Sequence, residues 1–212
     1  MEVILINKEL MAFELFKSVR ASRECYDSEH LSDSKMDFIG EKDKALLSKL
    51  AGFKHFSPFE QAILTFDIKG VSRALLQQLS RHRIQSPNVK STRFTIHKMI
   101  KEYKYEDYDK YFYSTGDNFI DKMNKKNVAL IIAKLRQYET ETGIKLPNDK
   151  IKYLFPESLR TNVFTSFNLR SFANFYKLRS DSHAMEEIQV LANKMFNTLD
   201  EFTQELVNKI NK

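Results

Sequence analysis

Apolar residues recur along most of the chain at spacings typical of either strands or helices. Alternation over residues 2–6, 63–68 and 161–167 predicts three strands, the second of them ended by Gly70. Spacings of three and four residues predict helices over 12–25, 42–50, 71–82, 118–142, 168–179 and 185–211. Neither an internal repeat nor a linker interrupts this order. The pattern therefore predicts one α+β domain over residues 1–212.

Punctuating residues refine the boundaries of these elements. A polar loop is expected over residues 28–34, and Ser57 is expected to cap a turn that has Pro58 at its first helical position. Pro87 ends the helical pattern before it, so residues 81–83 fall where a helix gives way to a loop. Five tyrosines stand among alternating charges over residues 101–113. That segment is expected to be a surface arm or a helix covering the core, with stacking of nucleic-acid bases as the alternative.

Composition places the chain among globular proteins. It has 42% hydrophobic and 29% charged residues with only five Gly and four Pro, which excludes collagen-like and disordered classes. The lone Cys25 excludes an internal disulfide framework and a cysteine-built zinc site. The first residues lack the layout of a signal peptide, and no apolar run has the length of a membrane span. A reducing cytoplasm is the expected location.

Positive charge is concentrated in two segments that contain no acidic residue. Residues 68–101 hold eight Lys or Arg and residues 158–180 hold four, together twice the net charge of +6. The rest of the chain is net negative, which argues against a surface that coats nucleic acid. If the fold joins the two segments, they form a pocket for a multiply charged anion, with phosphates as the first candidates. Two solvated basic faces are the alternative.

Several chemistries have no support in the sequence. There is no G-x-S-x-G elbow and no glycine-rich phosphate loop, because the five glycines lie far apart. His183 and Glu187 have the spacing of metal ligands on a helix, but no third ligand is evident and a surface ion pair is the simpler interpretation. No metal is expected. A nucleotide would therefore be held by side chains.

The centre of the sequence offers such side chains. Arg81, His82 and Arg83 form a basic tripeptide at a predicted helix end with no acid nearby, which favours a bound phosphate or diphosphate. A basic helix terminus stabilised by the helix dipole is the alternative. Seven residues separate the tripeptide from Ser91, and Arg93 follows two positions later.

Four elements of the chain resemble those of the flavin-dependent thymidylate synthase family. They occur in the family's order and cover about 130 residues. The elements are H-F-S-P-F-E at 55–60, R-H-R at 81–83 with Ser91 beyond it, F-N-L-R-S-F-A-N-F at 167–175 and L-R-S-D-S-H-A at 178–184.

The resemblance implies a fold with an antiparallel sheet flanked by helices, in a homotetramer with shared active sites. It implies transfer of a one-carbon unit from methylenetetrahydrofolate to dUMP, with FAD reduced by NADPH, to give dTMP. The implied partners are these small molecules and neither nucleic acid nor a membrane. No protein nucleophile is required, because a guanidinium beside the uracil can make the ring electron-rich.

The resemblance also assigns residues position by position. Arg179 corresponds to the residue that activates the uracil. The FAD-binding positions are His55, Ser57, Arg81, His82, Arg83, Val89, Asn168, Leu169, Arg170 and Asn174. The dUMP-binding positions are Gln78, Leu79, Ser80, Arg81, Val89, Lys90, Ser91, Thr92, Arg93, Lys152 and Arg179.

Three positions depart from the family's usual pattern. Val89 stands where many members have Glu, Lys152 replaces a frequent Arg, and Phe94 replaces a common Tyr. Val89 therefore cannot make a carboxylate contact, Lys152 cannot make the bidentate contact of a guanidinium, and Phe94 cannot make a hydroxyl contact. These departures leave open a flavin- or nucleotide-binding homologue without synthase activity. A single-stranded nucleic-acid binder that uses the arginines and the Tyr-rich segment is the second alternative.

Overall fold

Four strands form one sheet in the order β1-β2-β4-β3. The strands are β1 (Glu2–Leu5), β2 (Ile63–Ser72), β3 (Ser86–Val89) and β4 (Arg160–Asn168). Ten helices accompany them: α1 (Met11–Cys25), α2 (Glu41–Gly52), α3 (Arg73–Leu79), α4 (Thr92–Glu102), α5 (Tyr108–Tyr111), α6 (Asn118–Thr142), α7 (Asn148–Ile151), α8 (Leu169–Arg179), α9 (Glu186–Asn197) and α10 (Glu201–Ile210). This computed structural model describes all 212 residues.

The chain divides into two compact units. Unit 1 comprises Met1–Lys69, Gln78–Asn88 and Val163–Lys212, and unit 2 comprises Gly70–Gln77 and Val89–Asn162. The mixed fold class with an antiparallel sheet and helices is confirmed. The single domain expected over residues 1–212 stays a prediction.

Unit 1 is built on sheet residues with alternating burial. β1 pairs antiparallel with β2 from Glu2 opposite Lys69 to Leu5 opposite Phe66. Inward positions of β2 are fully buried while their neighbours are half-exposed, as the period of two requires. Phe66 stacks on Phe172 of α8 with ring centroids 5.5 Å apart. The sheet therefore fixes the position of α8, the helix that carries the predicted cofactor residues Leu169, Arg170 and Asn174.

Unit 2 has an aromatic and aliphatic core of its own. Its members come from α4, α5, α6, α7 and the segment before β4, and they are Ile96, Met99, Ile100, Tyr103, Tyr108, Phe112, Val128, Ile132, Ile151 and Leu159. Arg136 of α6 donates to the carbonyl oxygens of Ile100 and Tyr103, at 2.5 and 2.8 Å, and so satisfies the end of α4. The Tyr-rich segment, expected as a surface arm or as a helix covering the core, thus supplies residues to the core itself.

Local signals set several boundaries as expected. α6 spans the predicted residues because the Asp117 carboxylate accepts from the N–H groups of Phe119 and Ile120, and Gly143 ends the helix with φ at 67°. The helices predicted over 12–25, 42–50 and 168–179 are confirmed within two residues at either end.

Other boundaries were predicted wrongly. β2 continues through Gly70, whose φ of 74° is accommodated inside the strand, so α3 begins only at Arg73. Ser57 lies inside a short 3₁₀ helix, Ser57–Glu60, whose cap position is Phe56. The predicted helix over 185–211 is two helices, because Asp200 caps a new one with its carboxylate on Thr203 N–H. Helix α4 was not predicted at all.

Candidate functional site

The basic tripeptide lies in a turn directly after helix α3. The N–H groups of Arg81 and His82 donate to the carbonyl oxygens of Gln78 and Leu79, at 3.3 and 3.1 Å, so the last helical turn tightens before the chain leaves. The predicted position of the tripeptide at a helix end is confirmed. Arg81 and Arg83 are exposed, whereas His82 is half-buried.

A cleft in unit 1 joins this turn to helix α8. We call it the arginine cleft; its volume is about 740 Å³, and its lining residues are Glu60, Arg81, His82, Arg83, Ile84, Asn168, Arg170, Ser171, Asn174, Leu178 and Arg179. The fold thus joins the arginines of one acid-free segment to those of the other. The sequence-based assignment missed Glu60, Ile84, Ser171 and Leu178, although three of these lie inside the quoted motifs and Ile84 directly follows one of them.

The guanidinium of Arg179 is held by hydrogen bonds to Gln78 of α3 and to His82 in the turn after that helix. Its Nε donates to Nε2 of His82 over 2.8 Å, and its two terminal nitrogens donate to the side-chain and main-chain oxygens of Gln78 at 3.2 and 3.3 Å. A guanidinium has five N–H groups, so two remain for a ligand. The arrangement fixes the plane of the guanidinium in advance.

His82 is a neutral acceptor in this arrangement. Burial, and then the positive charge of Arg179, lower the pKa of the imidazole from 6.5 to about 4. Because Nε2 accepts from Arg179, the proton of the neutral ring is on Nδ1. The ring also packs edge-on against Phe175 with centroids 5.0 Å apart.

The cations of the cleft differ in their partners. Arg81 and Arg83 have no acidic side chain within ion-pair distance, as the sequence suggested. Arg170 does have one, because its Nη1 lies 2.5 Å from Oε1 of Glu60 and its guanidinium lies over the Phe56 ring. Although Arg170 lies in a segment without acidic residues, the fold therefore gives it an anionic partner from outside that segment. An exposed pair of this kind contributes at most about 1 kcal/mol, so a phosphate can compete for the guanidinium.

The other predicted residues of unit 1 occupy varied positions. Asn168 caps α8 by accepting from Ser171 N–H at 2.8 Å, and Asn174 is exposed at the cleft. Leu79 and Leu169 are buried in the core, so only their main chain is available to a ligand. The Leu169 N–H already donates to the Ala62 carbonyl.

His55 and Ser57 do not line the arginine cleft. Both are exposed, and His55 shares a hydrogen bond of 3.2 Å between Nδ1 and the Tyr26 hydroxyl. Ser80 is exposed beside the tripeptide. Their assignment to cofactor or substrate stays a prediction.

The remaining predicted substrate residues belong to unit 2. Val89 ends β3 and Ser91 holds the cap position of α4. Arg93 is exposed and its Nε lies 3.0 Å from Oδ1 of Asp149, while the Lys152 ammonium lies over the Tyr153 ring. Lys90 and Thr92 line a separate cavity within the same unit.

The structure offers no support for a metal at His183. That residue precedes α9 and is almost fully exposed, and its Nδ1–H donates to Oδ1 of Asp181 over 2.8 Å, whereas Glu187 is buried. The shared helix expected for His183 and Glu187 is wrong. Nowhere in the 212 residues do three His, Cys, Asp or Glu side chains come together as potential metal ligands.

Two further expectations concern the chain outside the cleft. Cys25 is exposed at the end of α1 and does not line the arginine cleft. None of the helices is both long and apolar enough to cross a membrane.

Comparison with known proteins gives consistent similarities. Residues 14–203 match the family described as thymidylate synthase complementing protein. The chain is 37% identical over 185 residues to a flavin-dependent thymidylate synthase of Campylobacter jejuni, with 84% of each chain covered. It is 37% identical over 186 residues to the enzyme of the same name from Helicobacter pylori, covering 85% of this chain and 86% of that one. A crystal structure of the Helicobacter pylori flavin-dependent thymidylate synthase, complexed with FAD and dUMP, aligns over 100% of both chains with a TM-score of 0.82 and 34% identity.

Proposed function

The chain belongs to the flavin-dependent thymidylate synthase family, and we propose that the arginine cleft is where its FAD and its dUMP meet. The enzyme uses FAD and acts on dUMP to form dTMP. The observation that carries the proposed location is the convergence of Arg81, His82 and Arg83 with Arg170 and Arg179 in one cleft.

The residues of the cleft fit the chemistry of FAD. Arg81 and Arg83 have guanidinium groups without acidic partners, which suits the diphosphate of the cofactor. Ile84 and Leu178 add exposed aliphatic surface, which suits a flat and partly apolar ring system. When bound, the flavin supplies the hydride chemistry that protein side chains cannot perform.

Arg179 is proposed to activate the uracil. Its Nε and one N–H of each terminal nitrogen are committed to His82 and Gln78, which leaves one N–H on each terminal nitrogen for the substrate. These donors can bond a ring nitrogen and its adjacent carbonyl oxygen, and they favour the electron-rich form of the ring. A fixed guanidinium performs this task without reorganising during the reaction.

No thiol nucleophile enters this scheme. The one cysteine of the chain is Cys25, which lies at the end of α1 and does not line the cleft. The carbon of the uracil that accepts the one-carbon unit is activated by the charge of Arg179 instead. The protein binds, orients and polarises, and the cofactor carries the transfer of electrons.

The finer features of the enzyme are part of the proposal. Methylenetetrahydrofolate is the proposed carbon donor and NADPH the proposed reductant of FAD. A cytoplasmic homotetramer with active sites shared between subunits is proposed, and Val89, Lys90, Ser91, Thr92, Arg93 and Lys152 are its proposed dUMP contacts from unit 2. The Lys152 ammonium would contact a phosphate as a point charge, without the two parallel hydrogen bonds that a guanidinium makes.

One assay tests the proposed function. Purified protein is saturated with FAD and supplied with dUMP, methylenetetrahydrofolate and NADPH, and dTMP is measured by chromatography. Formation of dTMP that depends on all four components supports the proposal. Binding of FAD and dUMP without any dTMP identifies a homologue that has lost synthase activity. Binding of oligonucleotides with a steep salt dependence, and no dTMP, identifies the nucleic-acid binder.

A further inference from the structure

Gln85 lies at the end of the turn that carries the basic tripeptide. It stands between Ile84 and the first residue of β3, Ser86, and its side chain is half-buried, whereas Arg81 and Arg83 are exposed. Gln85 does not line the arginine cleft, and it is not among the residues assigned to FAD or to dUMP. Its side chain nevertheless forms two hydrogen bonds that connect the turn to the rest of unit 1.

The first bond connects Gln85 to the end of α3. Its Nε2 donates to the carbonyl oxygen of Leu79 over 2.7 Å, and the same oxygen accepts from the His82 N–H at 3.1 Å. Leu79 is the last residue of the helix and its side chain is only 1% exposed, so packing fixes the position of this carbonyl. A carbonyl oxygen has two acceptor sites, and both are occupied here. The bond from Gln85 thus closes a loop around residues 80–84.

The second bond connects Gln85 to a buried threonine. Thr165 of β4 is fully buried, and its hydroxyl donates to Oε1 of Gln85 over 3.0 Å. Only the nitrogen end of an amide can donate to the carbonyl of Leu79, so the oxygen end must face Thr165. Each partner therefore determines the orientation of the same amide.

Both bonds lie within unit 1. Leu79, Gln85 and Thr165 belong to the same segments of that unit as the tripeptide and α8. β4 lies between β2 and β3 in the sheet, so Thr165 stands on a strand that is paired on both sides. Such strands are among the last parts of a domain to open. The amide thus anchors a surface turn to a stable strand.

The charges of the turn explain why it needs an anchor. Arg81 and Arg83 have no acidic partner within ion-pair distance, and Arg179 contacts His82 between them. Like charges so close together repel one another and favour opening of the turn when no anion is bound. A neutral amide opposes this opening without offering a carboxylate that would compete with an anionic ligand.

We propose, on the basis of the function proposed for the arginine cleft, that Gln85 is a positioning residue for FAD binding. Its amide holds residues 80–84 in the conformation in which Arg81 and Arg83 contact the diphosphate. A turn that is ordered in advance loses less conformational freedom when the cofactor binds. Gln85 acts through the turn alone, so its loss should weaken binding by the free energy needed to order residues 80–84.

Gln85→Met tests the proposal directly. Methionine is unbranched and of similar length but has no amide, so both hydrogen bonds are lost. The dissociation constant of FAD should rise about fivefold or more, measured by flavin fluorescence at a temperature where both proteins are folded. Equal affinity of the variant and the wild type would overturn the proposal. Absence of FAD binding by the wild type would overturn the proposed function, and this inference with it.

Gln204 provides a matched control at another helix end of unit 1. Its Nε2 donates to the carbonyl oxygens of Phe196 and Leu199, at 3.3 and 3.0 Å, and its side chain is half-buried like that of Gln85. It does not line the arginine cleft. Gln204→Met should therefore lower the melting temperature but leave the affinity for FAD within about twofold. Equal weakening of FAD binding by the two variants would reduce the effect to general destabilisation and overturn the proposal.

Two variants of Thr165 separate the hydrogen bond from packing. Thr165→Val keeps the shape of the side chain but removes the hydroxyl, so FAD binding should weaken about threefold or more. Thr165→Ser keeps the hydroxyl but leaves a small cavity, so it should lower the melting temperature and leave the affinity for FAD within about twofold. The reverse order of FAD affinities would mean that packing of β4, and not the bond to Gln85, supports the site.

A double-mutant cycle shows whether the two residues act through one bond. The variant with both Gln85→Met and Thr165→Val should bind FAD no more weakly than Gln85→Met alone, because the amide that Thr165 orients is already absent. Additive losses of affinity would contradict the proposed link from β4 through Gln85 to the turn.

Discussion

Nε of Arg179 donates a hydrogen bond to Nε2 of His82 across 2.8 Å, linking the end of α8 to the turn after α3. Because Nε2 of His82 accepts this bond, that nitrogen must be unprotonated. The bond therefore fixes both the orientation of the Arg179 guanidinium and the tautomer of the His82 imidazole. In a family in which His82 is expected to contact the flavin, this bond gives it a second task. His82 also positions Arg179, the arginine proposed to activate the uracil.

Replacing Arg179 should act on the chemical step more than on cofactor binding. Arg179→Ala is expected to lower dTMP formation a hundredfold or more, because a preorganised donor to developing negative charge is worth about 3 kcal/mol. FAD should be retained. Arg179→Lys should recover only part of the rate, since an ammonium lacks the planar fork.

A neighbouring cation on the same helix provides the control for Arg179. Lys177 is exposed near the end of α8, donates to the Asn211 carbonyl and does not line the cleft. Lys177→Ala should leave turnover nearly unchanged. Near-normal dTMP formation by Arg179→Ala, measured with flavin retention on the same preparation, would remove Arg179 from the active site.

His82 should make stability depend on pH in a defined window. Its pKa is 6.5 in an ordinary setting and about 4 in the folded chain, because burial and Arg179 disfavour the charged ring. Between these values the unfolded chain binds a proton that the folded chain does not, so stability is complete above about 6.5 and declines as the pH falls toward 4.

The variant His82→Asn should flatten that dependence. An amide keeps a hydrogen-bond acceptor for Arg179 but does not titrate, so the melting temperature should fall less steeply between pH 6.5 and pH 5 than in the wild type. Thermal unfolding of both proteins without ligands checks this. Parallel curves for the two proteins would mean that the imidazole is not buried in its neutral form.

The sequence predicted those features that local chemistry determines. Helix α6 has the ends that the sequence predicts. Its two cap residues, Asp117 at the start and Gly143 at the end, are adjacent in sequence to the ends that they set. The turn at residues 81–83 was equally local. The break at Asp200 was missed because the apolar spacing continues across it, and only the cap on Thr203 shows that a new helix starts.

The geometry of the site could be predicted only in part. The motifs identified which residues belong together, but the bond between Arg179 and His82 joins positions 97 residues apart. No periodicity in the sequence indicates which nitrogen of an imidazole faces a distant guanidinium. The pairing of Arg170 with Glu60 was likewise missed, since the two lie 110 residues apart.

A buried ion pair between α1 and α2 should be important for the stability of unit 1. Arg23 donates from Nε and Nη2 to Oδ1 of Asp43, at 3.0 and 2.7 Å, while the other carboxylate oxygen accepts from Ser32 and Ser34. Asp43→Asn should lower the free energy of unfolding by about 3 kcal/mol or more, because a buried guanidinium is left unpaired.

Urea titration measures the effect, and a surface acid of the same helix is the control. Glu41→Gln removes an exposed partner of Lys44 and should cost less than about 1 kcal/mol. Burial raises the pKa of Asp43, but the bonds from Ser32, Arg23 and Ser34 outweigh burial and hold it below 3.8. The stabilisation is therefore present above pH 3.8 and is lost as the pH falls through the lower folded value. Equal costs for the two variants would contradict the role of this pair.

Cys25→Ala should preserve catalysis. The thiol is exposed at the end of α1 and does not line the arginine cleft, so it is not placed to form a bond to the uracil. The rate of dTMP formation and of dUMP-dependent NADPH oxidation should stay within about twofold of the wild type. Complete loss of activity with an intact fold, checked by circular dichroism, would refute a mechanism without a cysteine nucleophile.

Arg81→Ala should weaken FAD binding more than Arg170→Ala does. Arg81 is exposed and lacks an acidic partner, so its interaction with a diphosphate is not opposed by a bond that must first be broken. The loss of one charge-assisted contact predicts a ten- to hundredfold rise in the dissociation constant, roughly 1.5–3 kcal/mol. Arg170→Ala should raise the dissociation constant of FAD less, because the Arg170 guanidinium must break its ion pair with Glu60 before it binds the cofactor. Flavin fluorescence measures both, with Arg20→Ala on α1 as a control outside the cleft; equal losses for Arg20→Ala and Arg81→Ala would place the FAD elsewhere.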